Sequence, residues 1–220
     1  MAATVSGWPE IDFDPAVWIE LPMIWCEATW PDHRAWARDL AEACWDDSGL
    51  VPGEYQVDNL ALTLAMVAER IQSSQLPAQH FFLHLPDPRM MPLQVCLGVW
   101  DAAGERDATL RVLTGADDPD AVEPPVVEVF PTQYLGDGLR TLRYCPFDPS
   151  PGHPPDPGAI YATLNYAWRV EQHDTDVRLF SSCPDLARLI QVIDDIDALA
   201  RSIRIVPLTE EGLDPSFTPA

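Results

Sequence analysis

A chain of 220 residues, 47% of them hydrophobic, can bury a substantial core in one domain or two small ones and is too apolar to be disordered. A formal charge of −22 repels nucleic acid and anionic membrane surfaces, and suits a protein partner with a basic surface, or plain solubility. All 13 basic residues are arginine, which excludes Schiff-base chemistry and Walker-type phosphate binding and, with the abundant Ala, Asp and Pro, suggests a GC-rich bacterial genome.

Residues 1–12 read as an N-terminal arm, 13–206 as a single α+β domain and 207–220 as an acidic C-terminal tail. The start, MAATVSGWPEIDFDP, lacks the basic and apolar stretches of a secretory leader. No apolar run reaches the ~18–20 residues of a membrane span, so a cytoplasmic location is expected. AVWIELP (16–22) predicts a first strand, closed by Pro22. Pro31 and Asp32 then open a helix that Gly49 ends, with Trp36, Leu40 and Cys44 on one stripe beside Ala37, Ala41 and Trp45. A second helix is predicted from Tyr55 to Ser73. Val57, Leu60, Ala61, Leu64, Ala68 and Ile71 line its core side. Leu62, Met66 and Val67 widen the apolar arc so far that deep burial is expected.

From about residue 79 the period becomes two. QHFFLHLP and LQVCLGVWDA predict strands, and ATLRVLTG (108–115) predicts a hairpin partner across the turn AAGE. VVEVF and LRTLRYCP predict two more strands, joined at GDG. PFDPSPGHPPDPG (146–158), with six prolines, reads as a long surface loop rather than a polyproline ligand. In AIYATLNYAWRVEQ, Ile160, Ala162, Leu164, Tyr166, Trp168 and Val170 mark a core face. Tyr161, Thr163, Asn165, Ala167, Arg169 and Glu171 mark a partly wet one. After the turn HDTD, VRLFSS runs back beside it. A last helix over 184–204 carries Leu189, Ile193, Ile196, Ala200 and Ile203, with Leu186 and Ile190 alongside. Strands that follow one another through turns give an α+β fold, an antiparallel β-sheet of about six or seven strands with helices packed on its faces.

Candidate chemistry is sparse. In SSCPDLARL, Cys183 would need a lowered pKa and a base to act as a nucleophile. No base is near, and Asp185 opposes a thiolate. With Pro184 in the first helical position, Ser182 or Cys183 is the expected N-cap, and the segment is how a helix begins. Asp194 and Asp197 of DDID lack a third oxygen ligand and the glycine loop of a calcium site; a solvated face is expected, with Asp197 pairing to Arg201. His80 and His84 of HFFLH stand about 13 Å apart on a strand, too far to share one metal. The five cysteines (26, 44, 96, 145 and 183) are odd in number, widely spaced and without CxxC, and read as reduced buried thiols. Among the tryptophans, Trp25, Trp30, Trp36 and Trp45 cluster early and are expected in the core, any exposed surplus marking an interface. GxGxxG, GxSxG and HExxH do not occur, so no cofactor, metal or catalytic residue is assigned, and an enzyme is not the favoured reading.

Three pieces of the chain resemble the Mog1/PsbP-like family across roughly 13–206. They are WIELP followed by a helix, the strand pair IYATLNYAWRVEQHDTDVRLFSS, and the helix PDLARLIQVIDDIDALARSIRIVP with its D-x-x-x-L start. The resemblance implies a binding protein, assembly factor or accessory subunit without catalysis, and transfers no functional residue. Two functions are weighed. The first is a non-catalytic cytoplasmic protein-binding or adaptor domain that offers an apolar, Trp-containing patch framed by acidic side chains. The alternative is a small-molecule-binding protein or enzyme with an aromatic cleft under the proline-rich loop. For that cleft Tyr161, Asn165 and Arg169, on one face of their strand, are the candidate lining.

Overall fold

The computed structural model describes residues 7–22, 24–25, 29–73, 79–146 and 159–207. The proline-rich loop beyond Pro146, the tail beyond Pro207 and Cys26 lie outside the described residues. In chain order the elements are β1 (Gly7–Glu10), β2 (Trp18–Glu20), α1 (His33–Ser48), α2 (Gln56–Ser73), β3 (Gln79–His84), β4 (Leu93–Asp101), α3 (Arg106–Thr114), β5 (Val126–Thr132), β6 (Gly136–Pro146), β7 (Ile160–Val170), β8 (Thr175–Cys183), α4 (Leu186–Ser202) and β9 (Arg204–Pro207). Among the described residues the fold is α+β, with a seven-stranded antiparallel sheet in the order β2-β3-β4-β8-β7-β6-β5 and four α-helices. Backbone contacts divide the chain into two compact units, Phe13–Cys96 and the combination of Met1–Asp12 with Leu97–Ala220.

In the unit Phe13–Cys96, Asp32 caps α1, its Oδ1 accepting from the Arg34 and Ala35 amides at 2.8 and 2.9 Å. Gly49 ends the helix in the left-handed conformation, φ 66°. The buried stripe of α1 is Trp36, Ala37, Ala41 and Trp45, whereas Leu40 and Cys44 are half-buried, so the core direction is rotated from the one the sequence predicts. α1 packs on α2, which buries Leu60, Leu64, Ala65, Ala68 and Ile71. The expected deep burial of α2 is corrected here: Leu62 and Met66 are each 61% exposed. Hydropathy reports what a side chain prefers, not whether a neighbour arrives to cover it.

In the other unit, β1 pairs antiparallel with β9, Gly7 opposite Pro207 and Glu10 opposite Arg204, so the expected N-terminal arm contributes a strand. The main correction is α3. ATLRVLTG is helix, not the expected hairpin strand. Glu105 caps it, accepting from the Asp107 and Ala108 amides at 3.1 and 2.8 Å, and Gly115 closes it at φ 66°. With both ends capped and Leu110 and Thr114 buried one turn apart, these signals outweigh the strand preference of a short Leu-Arg-Val-Leu run.

Between β5 and β6 the turn falls at Gln133–Leu135, not at GDG, which lies inside β6. There Gly138 sits against the Trp168 indole and the Ala167 carbonyl, where a Cβ has no room. The structure also moves the start of α4. Ser182 and Cys183 still belong to β8, and the cap is Asp185, whose Oδ1 accepts from Arg188 N at 3.0 Å. β7 is buried from Ala162 to Val170, so the face expected to be partly wet is covered as well as the core face. α3 packs against β6 and β7, and α4 against β7 and β8.

Candidate functional site

Tyr161, Asn165 and Arg169 do share one face of β7, the face toward α3. Asn165 is fully buried, donating to Thr163 Oγ1 at 3.1 Å and accepting from Arg178 at 2.7 Å. Thr163 Oγ1 also accepts from Arg143 Nε at 2.9 Å, and Arg143 pairs with Asp118. Arg169 is buried and bonded on every side. Its Nε and Nη2 donate to Asp176 at 2.8 and 2.9 Å, and its Nη1 and Nη2 to the Gly104 and Ala103 carbonyls, both at 2.8 Å. This pairing ties the β7–β8 hairpin to the segment leading into α3. Tyr161 is half-buried, and burial, with Cys145 beside it, raises its phenol pKa.

On the opposite face of β7, Tyr166 donates to Asp197 Oδ1 at 2.5 Å. Arg140 and Arg201 donate to Asp197 Oδ2 at 3.0 and 3.4 Å. The expected Asp197–Arg201 pair is present, but Asp197 is 6% exposed and sits in a buried network rather than on a solvated face. Burial, then the Asp197 carboxylate, push the Tyr166 pKa far above its ordinary value, so the phenol keeps its proton. This network fixes α4 to the sheet. Cys183 is buried, and its Sγ donates to the Asp185 carbonyl at 3.2 Å. Burial raises its thiol pKa, the reverse of an activated nucleophile. His80 and His84 are both buried on β3, His84 edge-on to Trp18 at 4.9 Å. Among the described residues no group of His, Cys, Asp or Glu is arranged to hold a metal. Within the described residues no helix is long and apolar enough to cross a membrane.

One open apolar surface among the described residues is on α2, in the unit Phe13–Cys96. Tyr55, just before the helix, is 62% exposed, Leu62 and Met66 61% each. At about 100° per residue these three positions fall within about 40° of arc. The next row, Gln56, Asn59 and Thr63, lines a cavity of about 210 Å³ with Trp45, Leu60 and the turn Pro88–Pro92. Trp45 is 3% exposed, and its Nε1 has no hydrogen-bond partner among the described residues. Asp87 shapes the turn. Its carboxylate accepts from the Arg89 side chain and amide, and those bonds hold its pKa at about 2. Leu50 and Val51, in the link to α2, are exposed as well.

Sequence reading missed this face, although a signal was present. Leu62 and Met66 fall about 120–160° from the buried Leu64 and Ala68 row, which makes two apolar rows rather than one wide core arc. Of the early tryptophans, Trp36 and Trp45 are buried as expected, and Trp25 and Trp30 are not fully buried.

No protein-family model matches this chain, and no curated protein sequence matches it. Among solved structures it is similar to the Ran-binding protein Mog1p of Saccharomyces cerevisiae. The likeness covers 61% of this chain and 82% of that one, at 12% identity and a TM-score of 0.39. It is a weak resemblance of layout, in line with the Mog1/PsbP-like pattern of the sequence, and no residue role is taken from it.

Proposed function

We propose that this chain is a non-catalytic protein-binding or accessory module that works in the cytoplasm and meets its partner through the exposed face of α2. The observation that carries this reading is the row Leu62 and Met66 on α2, with Tyr55 just before the helix: three large apolar side chains open to water, on a helix whose other arc is buried. Open apolar surface on a chain of charge −22 is not needed for solubility, and in soluble proteins such patches mark contacts. The buried polar side chains of the sheet agree with the reading, since Asn165, Arg169, Tyr166 and Asp197 are bonded inward. Among the described residues a small-molecule site has a foothold in the cavity beside Asn59. Its volume of about 210 Å³ is below the roughly 300–1,000 Å³ of most ligand pockets.

The test is capture from host extract with the tagged chain beside its Leu62→Asp variant, at low and physiological salt. A protein that wild type retains and the folded variant loses supports the reading. Equal recovery on both removes α2 as the contact face, and no specific protein on either removes the module itself.

A further inference from the structure

We infer that the α2 face receives the apolar side of a basic amphipathic helix, one of whose side chains enters the cavity beside Asn59. This rests on the protein-binding reading and adds the chemistry of the partner. The exposed stripe and the cavity wall are neighbouring rows of one helix, so a single ligand can cover both. From Gln56, next to Tyr55, to Met66 the helix rises about 15 Å, or nearly three turns. That is the span over which a partner helix presents anchors at i, i+3 or i+4, and i+7. Across the cavity Met91 is 68% exposed, and with Met90 it supplies an unbranched, adaptable wall. A volume of about 210 Å³ suits one inserted side chain.

Charge selects the basic partner. The last turn of α1 holds Asp46 and Asp47 and no base, so two carboxylates stand at the negative end of the helix dipole. Neither pairs with a cation among the described residues. Of the four arginines in Phe13–Cys96, Arg38 is matched by Glu42 and Asp58, Arg89 by Asp87, and Arg70 is itself partnered, which leaves Arg34 at the start of α1; the same stretch carries twelve carboxylates. The net sign of the unit that carries the stripe is therefore negative. This placement is unfavourable in the free chain and becomes favourable against arginine or lysine on a partner. A second copy of the chain would set −22 against −22, and an anionic lipid surface meets the same repulsion.

The experiment is selection against the full chain from a displayed library of about three-turn to four-turn helices. Apolar positions are fixed at i, i+3 or i+4, and i+7, and the other positions are randomised between Arg and Glu. The expected winners are rich in arginine and bind at least about tenfold less tightly to the Leu62→Asp variant. They also weaken several-fold on Asp46→Asn/Asp47→Asn and with added salt. Circular dichroism and melting confirm that each variant is folded. No enrichment, winners without a basic bias, or equal binding to Leu62→Asp overturns the inference. So does a Leu62-dependent dimer in light scattering, or Leu62-dependent binding to phosphatidylserine vesicles, since each gives the face another occupant. If the library fails while a host protein still depends on Leu62, the basic helix falls and the protein-binding reading stands.

Discussion

Removing the Arg169 guanidinium would leave the Asp176 carboxylate at 5% side-chain exposure with, among the described residues, only the Ala103 amide, 3.3 Å away, to answer it. It would also strip donors from the Ala103 and Gly104 carbonyls. Breaking one partner of a buried ion pair costs more than the pair contributes, because the other charge stays buried and unmatched. Arg169→Met is therefore expected to lower the free energy of unfolding by about 3 kcal/mol in urea titration. Arg169→Met/Asp176→Leu, which removes both charges, is expected to recover most of that loss. A double variant no more stable than the single one would mean that the carbonyl bonds, not the carboxylate, matter. A binding role for Arg169 would instead show as lost affinity at unchanged stability.

Helix α3 decides what the inner face of β7 touches, and its stop signal gives a direct test. Gly115 is left-handed, and a Cβ there would overlap the Arg143 guanidinium, whereas Gly49, equally left-handed at the end of α1, has open space around it. Gly49→Ala should cost about 1 kcal/mol of backbone strain. Gly115→Ala should cost clearly more, since Arg143 must also leave Thr163 or Asp118. Equal losses by thermal melting would show that Arg143 yields freely. The turn facing α2 gives a second test. The folded pKa of Asp87, about 2, lies below its unfolded value near 4, so its contribution is fully present above pH 4 and fades as pH falls through 2. Asp87→Asn should loosen the Met90 and Met91 methyl signals at pH 7 by NMR, and the difference from wild type should shrink as pH falls through 2 and vanish well below it. A difference that persists there would assign the turn to another contact.

These elements also show what a sequence can report. The alternation of β7 was legible because a pleat places every second residue on one face whatever lies above it. What lies above it was not. α3 has nine residues, exposes Val112 and buries Leu110 and Thr114, and so imitates a strand in hydropathy. On α2 the apolar residues were legible and their exposure was not, because exposure depends on which neighbours are absent. The candidate face was therefore taken for core, while the buried Asn165 was taken for lining.

At the scale of the whole chain, 35 acidic residues face 13 arginines, and several of those arginines are held in internal pairs with Asp118, Asp176 and Asp197. The surface is left with an excess of carboxylates that repel one another, and salt screens that repulsion over about 10 Å at 0.1 M. Raising sodium chloride is thus expected to stabilise the free chain. A gain of 1–2 kcal/mol would raise Tm by roughly 2–8 °C for a chain of this length. The same screening weakens attraction to a basic partner helix. With such a helix in excess, Tm should be raised at low salt and approach the free value at high salt, so the two curves converge from opposite directions. Melting in a salt series, with and without the selected helix, measures both. A free-chain Tm that falls with salt would mean that internal ion pairs outweigh surface repulsion, and the uncompensated carboxylates would then lose their claim to select the partner.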